Sequence, residues 1–162
     1  VLHETFSRLD DSATYRSRDL AGVPDSVRRN WNVPGMIRRA GWTAANFEAF
    51  RAARPLQDFL VRAFVASGGQ VVAGTDASNQ LLVPGASLHT EMELLARAGL
   101  TPLDALRSGT FWAAELLRAD SLGRLRPGTV ADLVVLDADP LANIGNTRRI
   151  SRVMLGGSWL AR

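Results

Sequence analysis

The apolar positions of the chain keep a helical spacing between residues 44 and 66 and lose it directly afterwards. Hydrophobic side chains recur three and four residues apart from residue 44, which predicts a helix over residues 44–54. Pro55 then either kinks this helix or opens a second one that continues to residue 66. Gly68 and Gly69 end this pattern, and a strand is predicted over residues 70–73, with the apolar run Val71-Val72-Ala73 and no polar alternation. Two adjacent β-branched residues in that run predict a strand that is buried on both faces, as in a parallel sheet.

Thr43 precedes the first of these helices and is a suitable N-cap. The second helix places four large apolar side chains on one face: Leu56, Phe59, Leu60 and Phe64. We interpret the aromatic residues at this helical spacing as core side chains rather than as a cofactor site. They are Trp42, Phe47, Phe50, Phe59 and Phe64.

The residues directly after the predicted strand carry the first candidate chemistry. Gly74 and Thr75 lead to Asp76, and α/β enzymes place their sites just past the carboxyl ends of buried parallel strands. The glycine permits a ligand or another segment of backbone to approach closely. Asp76 is therefore a candidate site residue, while its position alone is equally compatible with a capping role in the turn after the strand.

The sequence of the C-terminal half predicts two more helices, followed by short strands and turns. We expect a helix over residues 88–98 that is stopped by Gly99, and another over residues 102–117 with Thr101 as its N-cap. From residue 122 onward, short β-rich stretches alternate with Pro-Gly and Gly-Gly turn signals. This pattern predicts a small all-β module over residues 122–162.

The first 42 residues show no long periodic pattern. We expect residues 1–10 to hold the end of a strand and a polar connection, and residues 11–42 to form an irregular segment broken by prolines and glycines. Short helical turns are predicted over residues 25–30 and 34–40. An irregular segment of this length in a compact domain is usually either functional or disordered.

Composition narrows the possible functions. All 19 basic residues among the 162 are arginine, and the chain has no cysteine. These absences exclude disulfides, thiolate metal sites, a cysteine nucleophile, a lysine Schiff base and a carbamylated-lysine metal bridge from this segment. The absence of cysteine does not fix the location, but a reducing cytoplasm is the expectation that fits it most simply. The sequence shows neither a long apolar run nor a signal-peptide pattern, so we expect no membrane partner.

The formal net charge of +3 is small, and the arginines are spread along the chain. The nearest approach to a basic stripe with an aromatic residue is Arg28-Arg29-Asn30-Trp31, which we interpret as a solvated helix end, so no nucleic-acid partner is expected. In the same irregular segment, Trp31 and Met36 are candidates for the wall of a pocket.

Several motifs occur in an order that resembles the C-terminal part of the metal-dependent amidohydrolases. They are Gly74-Thr75-Asp76, His89-x-Glu91, AGLTP at residues 98–102, LGRLRPG at 122–128, ADLVVLD at 131–137 and DPL at 139–141. Each motif alone is weak, but their common order along residues 68–157 makes the match specific. The chain is most similar to the imidazolonepropionase-like members and to the members that resemble Xaa-Pro or Xaa-Arg dipeptidases.

This resemblance implies an α/β fold. Residues 1–121 would be the last βα units of a (β/α)8 TIM barrel, with an irregular insertion near residues 11–42. Residues 122–162 would be C-terminal strands of a small β-sandwich domain. The predicted strand at residues 70–73 would be the eighth strand of the barrel.

The resemblance also implies the chemistry. In this family the aspartate at the position of Asp76 binds a catalytic divalent metal, usually zinc, and moves the proton of the metal-bound water. We therefore expect a hydrolase that cuts an amide-type C–N bond, linear or cyclic, in a small-molecule amide or dipeptide-like substrate. His89, at the start of a helix, and His3, just past the seventh strand, are candidate substrate contacts. Their alternatives are a polar helix start for His89 and an exposed surface histidine for His3.

The chain departs from the family in its metal ligands. The other ligands expected of the family, a His-x-His pair, a mid-barrel lysine or glutamate and two later histidines, do not occur here, since His3 and His89 are the only histidines. We therefore expect the N-terminal half of the barrel to come from another chain or from residues outside this sequence. The alternative is a non-catalytic structural fragment that pairs with a partner chain or self-associates. An open parallel edge needs a partner, so a homo-oligomer is expected.

Overall fold

The computed structural model describes residues 1–77 and 79–161. Contacts between residues divide the chain into two compact units. The first unit is discontinuous and combines Val1–Gln57 with Thr75–Leu88. The second unit combines Asp58–Gly74 with His89–Arg162.

The first unit is built from short helices. They are α1 (Leu2–Phe6), α2 (Asp25–Asn30), α3 (Val33–Ala40) and α4 (Ala44–Ala52), with 3-10 turns at Ser12–Arg16 and Arg18–Leu20. The predicted turns at residues 25–30 and 34–40 are confirmed as α2 and α3. Asn32 caps α3 by accepting a hydrogen bond from the Gly35 backbone N–H at 2.9 Å. Thr43 is the predicted N-cap of α4, and its backbone N–H donates to Asn46 Oδ1 at 2.9 Å.

The prediction of a strand end within residues 1–10 is wrong, because helix α1 occupies this segment. A strand needs a neighbouring strand to satisfy its backbone groups, and the described residues of this unit contain no ladder next to it. The backbone groups of residues 1–7 are satisfied by helical hydrogen bonds instead. Thr5 N–H donates to Val1 O and Ser7 N–H donates to His3 O, both at 2.9 Å.

The core of the first unit is small and aromatic-rich. Its buried residues are Leu9, Leu20, Val33, Phe47 and Leu81. Trp42 lies edge-to-face against Phe47 and Phe50, with ring centroids 6.1 Å and 5.3 Å apart. These three aromatic side chains are therefore packing residues, as the sequence predicted.

Helix α5 (Arg54–Ala66) carries the predicted apolar face, but that face is exposed. Between 54% and 61% of the surface of each of its four large apolar side chains remains accessible. The interpretation of Phe59 and Phe64 as core residues is therefore wrong for the part of the chain that is described, since no described element covers them.

The segment at residues 70–73 forms no strand, contrary to the prediction. Its apolar residues are intermediate in exposure, and Ala73 N–H donates to the carbonyl of Ser108 at 3.0 Å. Buried parallel strands are held by neighbours on both sides, and the described residues place no strand beside this segment.

The helices of the second half are α6 (Ala86–Arg97), α7 (Pro102–Ser108) and α8 (Phe111–Leu116). The prediction for α6 is confirmed within two residues at its start. Thr101 caps α7, as predicted, and accepts a hydrogen bond from Asp104 N–H at 3.1 Å. The single helix predicted over residues 102–117 is divided in two, because Thr110 leaves the helical region with φ −134° and ψ −90°.

The sheet of the second unit is antiparallel, with strands β1 (Leu133–Leu136), β2 (Ile150–Leu155) and β3 (Ser158–Trp159) in that spatial order. Val134 pairs with Val153, and the register shifts between Val135 and Leu136. Two of the three predicted β-rich stretches are thereby confirmed. The third, at residues 122–129, is a turn in which the hydroxyl of Thr129 donates to the carbonyls of Arg124 and Arg126.

The turn between β2 and β3 generates a stability prediction. Gly156 and Gly157 have φ of 56° and 82°, as a two-residue hairpin turn of type I′ requires. We expect Gly157→Ala to lower the free energy of unfolding by about 1–2 kcal/mol, because an L side chain is strained in this conformation. Urea unfolding monitored by circular dichroism measures the change.

Gly22→Ala is the matched control, since a Cβ at Gly22 meets nothing within 4 Å and its φ is not positive. That substitution is expected to leave stability unchanged or to raise it slightly, by about 0.4–1 kcal/mol. Equal effects of the two substitutions would contradict the assignment of the turn.

Candidate functional site

Asp76 lies in a tight turn on the surface of the first unit. Its φ of 54° is left-handed, a conformation in which aspartate is one of the few tolerated non-glycine residues. Thr75 Oγ1 accepts a hydrogen bond from Ala77 N–H at 3.2 Å, and Asp76 O accepts one from Asn79 Nδ2 at 3.0 Å. The turn thus uses the backbone carbonyl of Asp76 for its own hydrogen bonds, and the exposed residue keeps its carboxylate outside that network.

The loop that carries Asp76 is anchored by a strained leucine. Leu81 has φ 68° and is 7% exposed, as a member of the core cluster of the first unit. A left-handed leucine is an outlier that persists only where its surroundings fix it. At the end of the loop, Ser87 Oγ accepts a hydrogen bond from Val83 N–H at 2.7 Å. Leu81 thus attaches the described residues that follow the Asp76 turn to the core of the first unit.

Sequence reasoning did not identify Leu81. The available signal was the run Leu81-Leu82-Val83, which is apolar although it lies in a loop between a polar turn and a helix. Leu82 is 2% exposed.

A pocket of about 320 Å³ lies in the first unit, next to Leu81. Its lining residues are Tyr15, Leu20, Arg28, Trp31, Val33, Pro34 and Leu81. Trp31 is thus part of a pocket wall, as predicted, whereas Met36 packs against the core cluster. The guanidinium of Arg28 donates to the backbone carbonyls of Leu20 and Val23, so this charged residue is used to hold the pocket wall together.

His3 lies in the first unit, with its ring 6.4 Å from that of Phe50 in an edge-to-face contact. Its Nδ1 atom is buried and has no hydrogen-bond partner among the described residues. Burial lowers the pKa of His3 below its ordinary value, and the positive charge of Arg54 lowers it further, while Glu4 acts in the opposite direction. His3 is therefore partly buried and neutral at pH 7 rather than an exposed surface histidine.

His89 lies in the second unit, within helix α6 and not in the loop before it. Its Nδ1 atom is 3.0 Å from Thr147 Oγ1. The structure thus places Asp76 and His3 in one unit and His89 in the other. Thr147 was not a candidate in the sequence, because 58 residues separate it from His89.

The described residues do not form a metal site by themselves. No group of three or more histidine, aspartate or glutamate side chains within residues 1–77 and 79–161 is arranged to hold a metal ion. A catalytic zinc site takes three ligands from protein. Asp76 can contribute one carboxylate to such a site, and the described side chains do not complete the set of three.

None of the described helices combines the length and the apolar character that a crossing of the bilayer demands.

Comparison with known proteins gives a consistent set of similarities. Residues 56–160 match the model of the amidohydrolase family. An imidazolonepropionase from Streptomyces coelicolor is 37% identical over 82 residues, which are 48% of this chain and 20% of that protein.

Two solved structures extend the similarity. A putative prolidase from Bifidobacterium longum superimposes with a TM-score of 0.66 and 29% identity, over 78% of this chain and 31% of that one. A molinate hydrolase superimposes with a TM-score of 0.56 and 32% identity, over 62% of this chain and 25% of that one. The chain thus spans only a fifth to a third of the length of the proteins that it matches.

The environment of His3 generates a prediction about pH. Because the folded chain depresses the pKa of His3 below 6.5, the unfolded chain binds the proton first as the pH falls. The contribution of neutral His3 to stability is therefore complete above pH 6.5 and is lost as the pH falls through the lower, folded pKa.

Urea unfolding at a series of pH values between neutral and mildly acidic measures this loss. His3→Gln removes the titrating group and is expected to flatten this part of the profile. A His3→Gln profile as steep as that of the wild type would contradict the assignment.

Proposed function

Because the chain belongs to the amidohydrolase family, we propose that it is the C-terminal part of a metal-dependent hydrolase that cleaves an amide-type C–N bond. The observation that carries the proposal is the Asp76 turn, which presents an exposed carboxylate at the position of the family's Gly-Thr-Asp motif. The attachment of the following residues to the core of the first unit through Leu81 supports a fixed position for this carboxylate.

In this proposal Asp76 supplies a metal ligand and a proton acceptor. A divalent metal such as zinc, if held by Asp76 together with ligands from outside this sequence, would supply Lewis-acid activation of a water molecule at neutral pH. The carboxylate of Asp76 takes a proton from the attacking water and returns it to the departing nitrogen, as a general base and then a general acid. The remaining ligands come from residues outside this sequence or from another chain.

The proposed substrate is a small-molecule amide or a dipeptide-like compound. The names of the similar proteins, an imidazolonepropionase, a putative prolidase and a molinate hydrolase, support this class without selecting a member of it. His89 and His3 are the proposed substrate contacts. His89 has the stronger support, because Thr147 orients its ring.

We further propose that residues 1–121 are the last βα units of a TIM barrel and that residues 122–162 are strands of a small β-sandwich. The antiparallel sheet from β1 to β3 supports the second part of this assignment. Homo-oligomerisation and a cytoplasmic location belong to the same proposal.

A second candidate is a non-catalytic fragment that pairs with a partner chain or with itself. The exposed apolar face of α5 favours it, because contiguous apolar surface of this kind usually marks an interaction site. Intact mass and metal content distinguish the candidates. A co-purifying fragment with a His-x-His pair and zinc favours the hydrolase, whereas a single metal-free species near 17.5 kDa favours the structural fragment.

The catalytic role of Asp76 is tested by its conservative replacement. In the active protein, Asp76→Asn is expected to lower kcat by about 10²–10⁴-fold, because it removes the proton-accepting carboxylate. The fold should be retained, since asparagine also tolerates the left-handed conformation.

Asp120→Asn is the matched control, because it removes an exposed carboxylate far from the motif in sequence. Activity is measured in a steady-state hydrolysis assay, and circular dichroism reports folding. An Asp76→Asn variant with the kcat of the wild type would falsify the proposed role.

The metal content of the isolated 162-residue chain is a separate test. One carboxylate with water holds divalent ions weakly, so we expect no stoichiometric zinc and no hydrolase activity from this chain alone. Mixing with the N-terminal half should restore both together. Elemental analysis after dialysis measures the zinc, and one tightly held zinc per chain that is lost on Asp76→Ala would contradict the expectation.

A further inference from the structure

The pocket of the first unit combines buried aliphatic side chains with two aromatic rings. Leu20, Val33 and Leu81 line it and are buried. Tyr15 and Trp31 line it as well and are partly buried. Its volume of about 320 Å³ falls within the range of small-molecule sites, which are mostly apolar with a few polar groups that orient the ligand. This lining suits a ligand with an apolar or aromatic body.

The ring of Tyr15 is a fixed and uncharged part of the pocket wall. Its hydroxyl donates to the backbone carbonyl of Leu9 at 2.9 Å, which uses the single proton of the phenol. Burial raises the pKa of Tyr15 above its ordinary value, and the charge of Asp10 raises it further, so the phenol is neutral at pH 7. Asp10 itself is paired with Arg51 Nη1 at 2.9 Å.

Arg28 is the charged residue among the described residues that line the pocket. Its Nε–H donates to the carbonyl of Val23 at 3.2 Å, and its Nη2 donates to the carbonyl of Leu20. Both acceptors are neutral, so these bonds fix the guanidinium without balancing its charge. Within the part of the chain that the structure describes, no carboxylate forms an ion pair with Arg28, not even Asp25 in the preceding turn of α2.

The two bonds also determine where the charge lies. Leu20 is itself a pocket residue, so the bond to its carbonyl holds the guanidinium of Arg28 at the pocket wall. A guanidinium has five N–H groups in a planar fork. Nε–H and one N–H of Nη2 are used by the bonds to protein, and Nη1 makes none within the described residues. The pocket thus offers oriented donors and a positive charge beside an apolar surface.

We propose that this pocket binds a small organic carboxylate, with its apolar body against Tyr15 and Trp31 and its carboxylate at the guanidinium of Arg28. Hydrogen bonds between a guanidinium and a carboxylate are charge-assisted and about twice as strong as neutral ones. Because Arg28 is already held in place, the ligand does not have to order its side chain. A neutral ligand of the same shape leaves the charge unpaired, and a cationic ligand is repelled.

A ligand series on the wild-type chain tests the charge preference. The probes are 3-phenylpropanoate and hexanoate, together with the neutral 3-phenylpropanamide and the cationic 3-phenylpropylammonium. Each is titrated into protein labelled with nitrogen-15, and the indole N–H signal of Trp31 is followed by nuclear magnetic resonance. Trp31→Phe identifies that signal among those of the four tryptophans.

We expect at least one of the two carboxylates to shift the Trp31 signal saturably. The dissociation constant of 3-phenylpropanamide should be about tenfold to 100-fold higher than that of 3-phenylpropanoate, as for the loss of a charge-assisted hydrogen bond. The ammonium compound should not bind. Failure of both carboxylates to bind would overturn the proposal, and so would equal affinities for 3-phenylpropanoate and its amide.

Two arginine variants test the part played by Arg28. Arg28→Met removes the guanidinium and is expected to weaken carboxylate binding to the level of the amide. Arg29→Met is the matched control, because Arg29 is the next residue of α2, is exposed and does not line the pocket. It should retain the affinity of the wild type.

An Arg28→Met variant that still prefers the carboxylate would overturn the role of Arg28. Equal losses in the two variants would show a general attraction of anions to the helix and would also overturn it. If circular dichroism shows that Arg28→Met does not fold, the ligand series on the wild type decides the question. The inference does not use the proposed hydrolase function, and its measurements need no turnover, so they are independent of the tests on Asp76.

Discussion

Burial of the Leu81 side chain is the constraint on which the candidate site depends. A left-handed leucine costs of the order of 1–3 kcal/mol, and complete burial of a leucine side chain contributes about 1.5–3 kcal/mol. The two magnitudes are comparable, so burial offsets the strain of this conformation only while Leu81 remains in the core. The other buried members of that core are Leu9, Leu20, Val33 and Phe47. Loss of that packing would release the turn that presents Asp76.

The second unit orients its candidate residue in a different way. His89 lies 3.0 Å from Thr147 at its ring, and an ion pair between Arg148 and Glu93 holds α6 to the turn at Ile144–Arg148. Burial is nevertheless involved, because Ile144 and Thr147 are 7% and 4% exposed, and their desolvation strengthens the polar contacts beside them. Both units therefore present their polar side chains from packed elements. The first unit holds the Asp76 turn through the buried Leu81, and the second holds His89 through polar contacts with Thr147 and Arg148.

Elements held by residues close together in sequence were predicted correctly, whereas elements that need partners far away in sequence were not. The sequence predicted the elements that depend on neighbours within a few residues. These are helix α2, the caps at Thr43 and Thr101, and the Gly-Gly turn. The strand expected at residues 70–73 depends on partners far away in sequence, and the described chain does not provide them. Among the site residues, the motif pointed to Asp76, whereas the pairing of His89 with Thr147 left no local signal.

The discontinuous composition of the first unit has a consequence for synthesis on the ribosome. Four of its five buried core residues occur before Gln57, but the fifth, Leu81, is made only after helix α5 and the segment that follows it. At a translation rate of about 5–20 residues per second, roughly 1–5 s separate Gln57 from Leu81. During this interval the nascent aromatic cluster lacks one wall, so chaperones that bind exposed apolar segments have a defined window in which to act on this chain.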